Sequence, residues 1–301
     1  MDLSLTSEQR LLQDSIQKFI STQYSISERN KFITNDHGYD NSNWQQFADL
    51  GWLAMTFSEE FGGLGGSLVD SMIMLEAFGK GLVVEPFLST VILFGAAVEL
   101  AGSQEQKQDI IPAIIEGNLI GTFAYAEPVE PTNLSAVQTK ATAEDSGFRL
   151  SGTKSLVFNA VSADRILLSA RTSGGDFDTD GVSLFIVDPA ANGLTRTDYA
   201  TVDGLRASEL NLEQVRVERD CLLGKTGKAS KLIQSLANRG ILGLAAEAIG
   251  AMEALYKSTI EYTKQRQQFD HPLADFQVLK HRMTGARPSQ GICNGALRNS
   301  S

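Results

Sequence analysis

Over residues 7–121 the apolar positions return every three or four residues. Leu11, Leu12, Ser15, Ile16 and Phe19 form one stripe and Phe47, Leu50 and Leu53 another, which predicts amphipathic helices. Thr6-Ser7-Glu8 before Gln9 reads as a helix N-cap with carboxylate support, and Ser103 before Glu105-Gln106 repeats the signal. Between 119 and 224 the period falls to two, with Val182, Leu184 and Ile186 on one face of a segment and Ser183, Phe185 and Val187 on the other. That pattern predicts a strand buried on both faces. Asp145-Ser146-Gly147 separates the alternation of residues 138–143 from Phe148–Leu150 as a hairpin turn would, and further breaks fall at Gly174-Gly175 and Ala191-Asn192-Gly193. Short strands at this spacing predict a sandwich or barrel, and the lack of helix-length patterns between them argues against a Rossmann unit.

From 228 to 264 the helical period returns in Leu232, Ile233, Leu236, Ile241, Leu244, Ile249, Met252, Leu255 and Ile260. A helix of roughly 35 residues exceeds the ordinary globular length and needs a bundle or a subunit interface to cover it. Gly240, Gly243, Ala245, Ala246, Ala248, Gly250 and Ala251 suit tight helix packing, with the approach of a flat ligand as the alternative. Residues 284–301 contain no acid and no period, and are expected to form an unstructured tail. The expected fold class is α+β: an all-α N-terminal domain over 1–119, a central β-barrel or sandwich over 120–224 and a helical bundle over 225–283.

Charge and cysteine usage narrow the partners. With 26 basic against 36 acidic side chains the net charge is −10, which disfavours nucleic acid. No run approaches about 18 apolar residues and the first nine residues lack the basic and apolar regions of a leader, so a cytoplasmic protein outside the membrane is expected. Cys221 and Cys293 have neither disulfide nor zinc spacing and read as reduced thiols. His37, His271 and His281 are too few and too widely spaced for a metal centre, and no metal is expected. The glycine-dense run Phe61-Gly62-Gly63-Leu64-Gly65-Gly66-Ser67 follows a helical pattern rather than a strand, so an interhelical turn is favoured over a phosphate cradle. Composition alone stops at a soluble α+β protein.

Several blocks carry more. Trp44-Gln45-Gln46-Phe47-Ala48-Asp49-Leu50-Gly51-Trp52-Leu53 with the Ser58–Ser67 run resembles the N-terminal signature of acyl-CoA dehydrogenases. Ala126-Glu127-Pro128 resembles the Thr-Glu-Pro of that family's flavin loop, and Leu150-Ser151-Gly152-Thr153-Lys154 its Leu-Asn-Gly-x-Lys strand. Arg266-Gln267-Gln268-Phe269 with Pro272-Leu273-Ala274-Asp275-Phe276-Gln277 resembles its Arg-x-x-Phe-Gly-x-x-Leu-x-x-Phe-Gln block. The stretch from Ala245 to Leu255 is similar in particular to small subunits of pimeloyl-CoA dehydrogenase-like enzymes.

The resemblance implies a helical domain, a β-barrel and a four-helix bundle, with FAD between barrel and bundle and α,β-dehydrogenation of an acyl-CoA thioester to the trans-2-enoyl-CoA. It implies an oligomer, homomeric or with another dehydrogenase subunit, and an electron-transfer flavoprotein as acceptor; an acyl-CoA oxidase is the runner-up within the same chemistry. It places Phe123, Tyr125, Ala126 and Thr132 along the flavin and the acyl-CoA, Leu156 and Phe158 beside the flavin ring, and Arg266, Phe269 and Gln277 in the block whose arginine reaches the FAD diphosphate of the neighbouring subunit. Arg206, in Gly204-Leu205-Arg206-Ala207-Ser208, matches the family's Arg-Ala-Ser turn and, with Thr132, is a substrate-binding candidate.

Departures accompany the match. Ala126 stands for a threonine, Leu156 and Phe158 for the common Trp and Thr, and Asp270 for a glycine beside the diphosphate. In most of the family the catalytic glutamate lies beyond the position of Ser301, and in a minority at a place corresponding to Gly240, which has no carboxylate. Pattern is lost after Met283, where Gly285 and Pro288 interrupt the expected helix, which predicts a truncated or frameshifted product. Such a chain would leave the 232–260 stripe partly uncovered, dissolve poorly and be inactive alone. The second reading is therefore a non-catalytic partner or scaffold subunit of a hetero-oligomeric dehydrogenase.

Overall fold

The computed structural model describes residues 5–285. Helices come first: α1 (Ser7–Gln23), α2 (Ile26–Phe32), α3 (Asn41–Asp49), α4 (Leu68–Gly81), α5 (Ala96–Ala101) and α6 (Gln104–Ile115). Strands follow: β1 (Gly121–Ala124), β2 (Lys140–Glu144), β3 (Gly147–Phe158), β4 (Arg165–Arg171), β5 (Val182–Val187), β6 (Leu194–Ala200), β7 (Arg206–Glu218) and β8 (Leu222–Leu223). The long helix α7 (Ser230–Gln265) precedes a small hairpin, β9 (Gln267–Gln268) and β10 (His271–Pro272), and residues 277–285 are again helical. The mixed α+β class and its helix, strand, helix order agree with the sequence pattern.

The described chain forms two compact units, one of residues to 30, 67–83 and from 241, the other of residues 31–66 and 84–240. In the first, α1 begins at a reciprocal capping box: Thr6 Oγ1 accepts from Gln9 N, and Gln9 Oε1 accepts from Thr6 N. The Gln9 amide also donates to Asp70 at the start of α4, whose other carboxylate oxygen accepts from the Ser67 amide and hydroxyl. Two helix starts are thereby joined. Ile16 and Phe19 of the expected stripe are buried, each contributing roughly 1.5–3 kcal/mol. Leu11, on the same stripe, is exposed.

Small residues bring α4 and α7 together. A Cβ on Gly79 would lie 1.9 Å from the Glu247 carbonyl oxygen, and one on Gly250 would lie 1.8 Å from that of Glu76. Gly79 and Gly250 thus serve close helix packing. Alongside them Lys80 pairs with Glu253 at 2.8 Å and Lys257 with the other Glu253 oxygen at 2.5 Å. Burial would raise the Glu253 carboxyl, but the two ammonium groups outweigh it and hold it below the usual range. Ile249 is buried, whereas Ile241, Leu244, Met252, Leu255 and Tyr262 are exposed. The stripe is thus partly buried and partly exposed among the described residues.

In the second unit the eight strands make one sheet in the order β6-β7-β3-β2-β4-β5-β8, with β1 added in parallel to β4. Asp145 and Ser146 turn β2 into β3, and β5 is buried at all six positions. The inward faces of β1 to β7 build a core that includes Leu150, Val157, Ile166, Phe185, Leu210 and Val215. The second N-terminal stripe differs from expectation, because α3 stops at Asp49. Phe47 is buried within the helix, Leu50 is exposed just past its end and Leu53 is buried from the following turn. Capping by Ser103 of α6 through Gln106 is present.

The glycine run is the tight turn between helices. The amides of Gly63, Leu64, Gly65 and Gly66 donate to the carbonyls of Ser58, Ala54, Phe57 and Met55, so they are committed inside the turn. Residues 54–58 lie so close that a Cβ on Gly63 would sit 2.0 Å from the Phe57 oxygen. Cys221 is a half-buried free thiol. Cys293, the tail 286–301 and the helix stop at Pro288 lie outside the described residues.

Candidate functional site

The site is built on the seam where the segment after β1 runs beside the end of β3. Ser155 N donates to Ala126 O at 3.0 Å, and the Thr122 hydroxyl donates to Phe158 O at the other end of the seam. β3 is buried at Leu150 and Lys154, then at Val157, a spacing of three where a regular strand gives two. The extra residue is a β-bulge, seen as a register shift between Lys154 and Val157 in the pairing with β7. Leu156 occupies it with a φ of 53°, a left-handed conformation unfavourable for leucine. Its amide donates to Glu209 Oε1 at 3.3 Å, and the same oxygen accepts from the Tyr199 hydroxyl at 3.0 Å. The bulge turns Leu156 and Phe158 outward, where they are 46% and 37% exposed. Tyr125 is 39% exposed, its ring centroid 5.3 Å from that of the buried Phe123. Large apolar side chains thus face outward on both sides of the seam, while Ala126 is buried.

Behind the seam lies a buried ion pair. Lys154 Nζ is 2.6 Å from Glu127 Oε1 and donates also to Ser169 Oγ at 2.9 Å; a longer contact of 3.4 Å reaches Tyr125 O. Glu127 accepts from the amides of Gln138 at 2.7 Å and Thr139 at 3.1 Å. Burial pushes the lysine down to about 8 against the pull of its carboxylate. For Glu127 burial acts upward, but Lys154 and the donors around it prevail and hold the carboxyl below its ordinary value. At neutral pH the pair is ionised on both sides.

Arg171 organises the neighbouring loops. Its buried guanidinium donates to the carbonyls of Ser135 and Val137 on one side and of Ser173, Asp176, Asp178 and Asp180 on the other. This fixes the end of the exposed loop that carries Thr132. Arg206 donates to the carbonyls of Ile33 and Asn35, and its stem packs against Gly38, which has a φ of 79°. A polar cavity of about 630 Å³ is lined by residues between Thr34 and Ser42, none of them a candidate from the sequence.

Arg266, Phe269 and Gln277 lie in the other unit. Arg266 is exposed, and its carbonyl accepts from Leu273 N across the β9–β10 hairpin. Phe269 and Asp270 form the two-residue turn with φ of 56° and 62°, and Phe269 is 84% exposed with its ring edge-on to Phe276. The glycine that the resembling block has at 270 suits this positive φ. Among the described residues no ion pair joins Asp270 to Arg266 or Arg282. Gln277 is exposed at the start of the last helical stretch, and all three histidines are exposed with no metal-binding cluster among the described residues.

Three family models match in order: the acyl-CoA dehydrogenase N-terminal domain over residues 6–118, its middle domain over 122–215 and its C-terminal domain over 230–287. The chain belongs to the acyl-CoA dehydrogenase family. It is 28% identical over 293 residues to a probable acyl-CoA dehydrogenase, YngJ, of Bacillus subtilis, covering 94% of this chain and 75% of the relative. With the short-chain specific acyl-CoA dehydrogenase of Clostridium acetobutylicum the identity is 29% over 290 residues, covering 93% and 74%. The butyryl-CoA dehydrogenase structure from Megasphaera elsdenii superposes with a TM-score of 0.90 at 25% identity, covering 99% of this chain and 80% of that one.

Within this acyl-CoA dehydrogenase chain, the sequence singled out the outward residues of the seam and missed what holds them. Glu127 and Lys154 were visible only as members of two separate motif blocks. The available signal was parity, since Lys154 falls on the inward register of Phe148 and Leu150, where a lysine requires a buried partner. Arg171 and Glu209 had no such signal.

Proposed function

We propose that this chain is the flavin-binding subunit of an acyl-CoA dehydrogenase that converts a CoA thioester to its trans-2-enoyl-CoA, and that the seam of β1 and β3 receives the flavin. The observation that carries the reading is the set of outward apolar side chains along the seam, Tyr125 just after β1 and Leu156 and Phe158 at the end of β3. A planar ring system fits such a wall: it buries apolar area against side chains that are otherwise left in water. The hydroxyls that threonines at 126 and 158 would contribute are absent, so the fit is through shape and apolar contact.

FAD supplies the two-electron acceptor for the hydride that leaves the acyl β-carbon. The chain supplies the surroundings. Tyr125, Leu156 and Phe158 would line the ring and keep water from it, with Phe123 and Ala126 buried beside them. Arg266, with its fixed fork of donors, would hold the FAD diphosphate of a neighbouring subunit, and Phe269 and Gln277 belong to the same block. Thr132 and Arg206 are assigned to the acyl-CoA. Glu127 cannot act as the base that removes the α-proton, because its carboxylate is locked to Lys154 and to two backbone amides. Gly240 cannot either.

An electron-transfer flavoprotein is the proposed acceptor, and a homo- or hetero-oligomer the proposed state. The uncovered face of α7, with Ile241, Leu244 and Leu255 exposed, favours the second reading, a partner subunit that completes the flavin site of another dehydrogenase chain. A dye-reduction assay with butyryl-CoA, on the chain alone and coexpressed with dehydrogenase subunits from neighbouring genes, separates the two. Activity only in the complex supports a partner role; activity in neither preparation, with no flavin retained, rules out both.

A further inference from the structure

We propose that Glu127 and Lys154 are positioning residues for flavin binding, a buried pair that fixes the two strands of the seam so that Tyr125, Leu156 and Phe158 form one wall. The proposal rests on the flavin reading above. Each member lies two residues from a wall residue in sequence, Glu127 after Tyr125 and Lys154 before Leu156, where the bulge falls. Both side chains are closed off from the outward face, Lys154 with 0% and Glu127 with 3% exposure, so they act on that face only through the backbone.

The contacts show how. The Lys154 ammonium joins three pieces of chain, namely the segment 125–127 through Glu127 and Tyr125 O, strand β3 that carries it, and β4 through Ser169. Glu127 extends the link to Gln138 and Thr139, just before β2. Stability alone does not account for this arrangement. Two buried charges cost several kcal/mol each in lost hydration, and an apolar pair of the same volume is commonly as stable or more so. What an apolar pair does not supply is direction: a charged hydrogen bond fixes distance and angle, so it sets where β3 must leave register and where the loop must turn. The bulge needs such fixing because Leu156 is held at a positive φ.

The test compares folding and flavin binding in the same variants. E127Q/K154M removes both charges, while the side-chain amide oxygen introduced in place of the Glu127 carboxylate can still accept from the Gln138 and Thr139 backbone amides. Thermal unfolding and FAD titration, followed by flavin fluorescence and the visible spectrum of the bound form, are measured on the full chain in whichever preparation, alone or with its partner subunit, takes up FAD. The expected result is a melting temperature close to that of the unchanged protein, FAD affinity weaker by about tenfold or more and a shifted visible band. Equal affinity and an unshifted band overturn the proposal and leave the flavin reading intact. Should the double variant fail to fold, E127D decides, since it keeps the charge and shortens the reach: weaker FAD binding at unchanged melting temperature supports the role, and unchanged binding overturns it. If the unchanged protein takes up no FAD in any preparation, the flavin reading fails and the proposal falls with it.

Discussion

The Lys154 ammonium, held near a pKa of about 8 by burial in spite of Glu127, makes stability depend on pH in a defined direction. Unfolded, this lysine keeps its proton up to the ordinary value of 10.5; between about 8 and 10.5 the unfolded chain therefore binds a proton that the folded chain does not. Folding stability from this group rises with pH across that window. Denaturant midpoints measured through it are expected to climb for the unchanged protein relative to E127Q/K154M, and parallel curves would remove the assignment. At Gly250 the argument is steric. Gly250→Ala places a methyl group 1.8 Å from the Glu76 oxygen, where neither backbone can yield cheaply, and about 3 kcal/mol of destabilisation is expected in urea melts. The small-residue pattern made that contact legible before the fold was known. Glu127 and Lys154 were legible as motif members, but their pairing depends on two segments 27 residues apart, and no local pattern states it.

Helices and strands were read from periodicity, and where the reading slipped the cause lies at element ends. The stripe of Phe47, Leu50 and Leu53 predicts a buried Leu50, yet α3 stops one residue earlier and the turn carries Leu50 outward. The bulge in β3 was not legible at all, because it is a property of the pairing with β7 and not of the β3 sequence. Caps were plain, since they need only a short local motif. Thr6→Ala and Ser103→Ala should each cost about 1 kcal/mol by chemical denaturation, as each removes one half of a reciprocal box. At the β9–β10 turn, Asp270→Gly should instead stabilise by about 0.5–1 kcal/mol, because φ is 62° there. A loss of stability on that change would mean the aspartate makes a contact that outweighs its backbone cost.

For the whole molecule, the exposed side of α7 is the feature with the largest consequence. Ile241, Leu244, Met252 and Leu255 lie on one helix of 36 residues, and Leu255 is 68% exposed. A continuous apolar strip of this kind binds hydrophobic dyes and drives association. Replacing Ile241 and Leu255 with lysine should lower anilinonaphthalene sulfonate fluorescence and concentration-dependent light scattering; no change in either would show that the strip is covered in solution. The family and the mixed architecture were legible at this scale because ordered motif blocks run through most of the chain. The proposed flavin wall was legible only as positions carried by resemblance, and the outward turn of Leu156 and Phe158 at the bulge was not. That wall is the central claim, and equilibrium dialysis of the purified chain against FAD, with and without its partner subunit, tests it most directly. Saturable uptake of one FAD per chain, abolished by Phe158→Asp and retained by Phe158→Thr, is the expected result; uptake indifferent to Phe158→Asp, or none in either preparation, would contradict it.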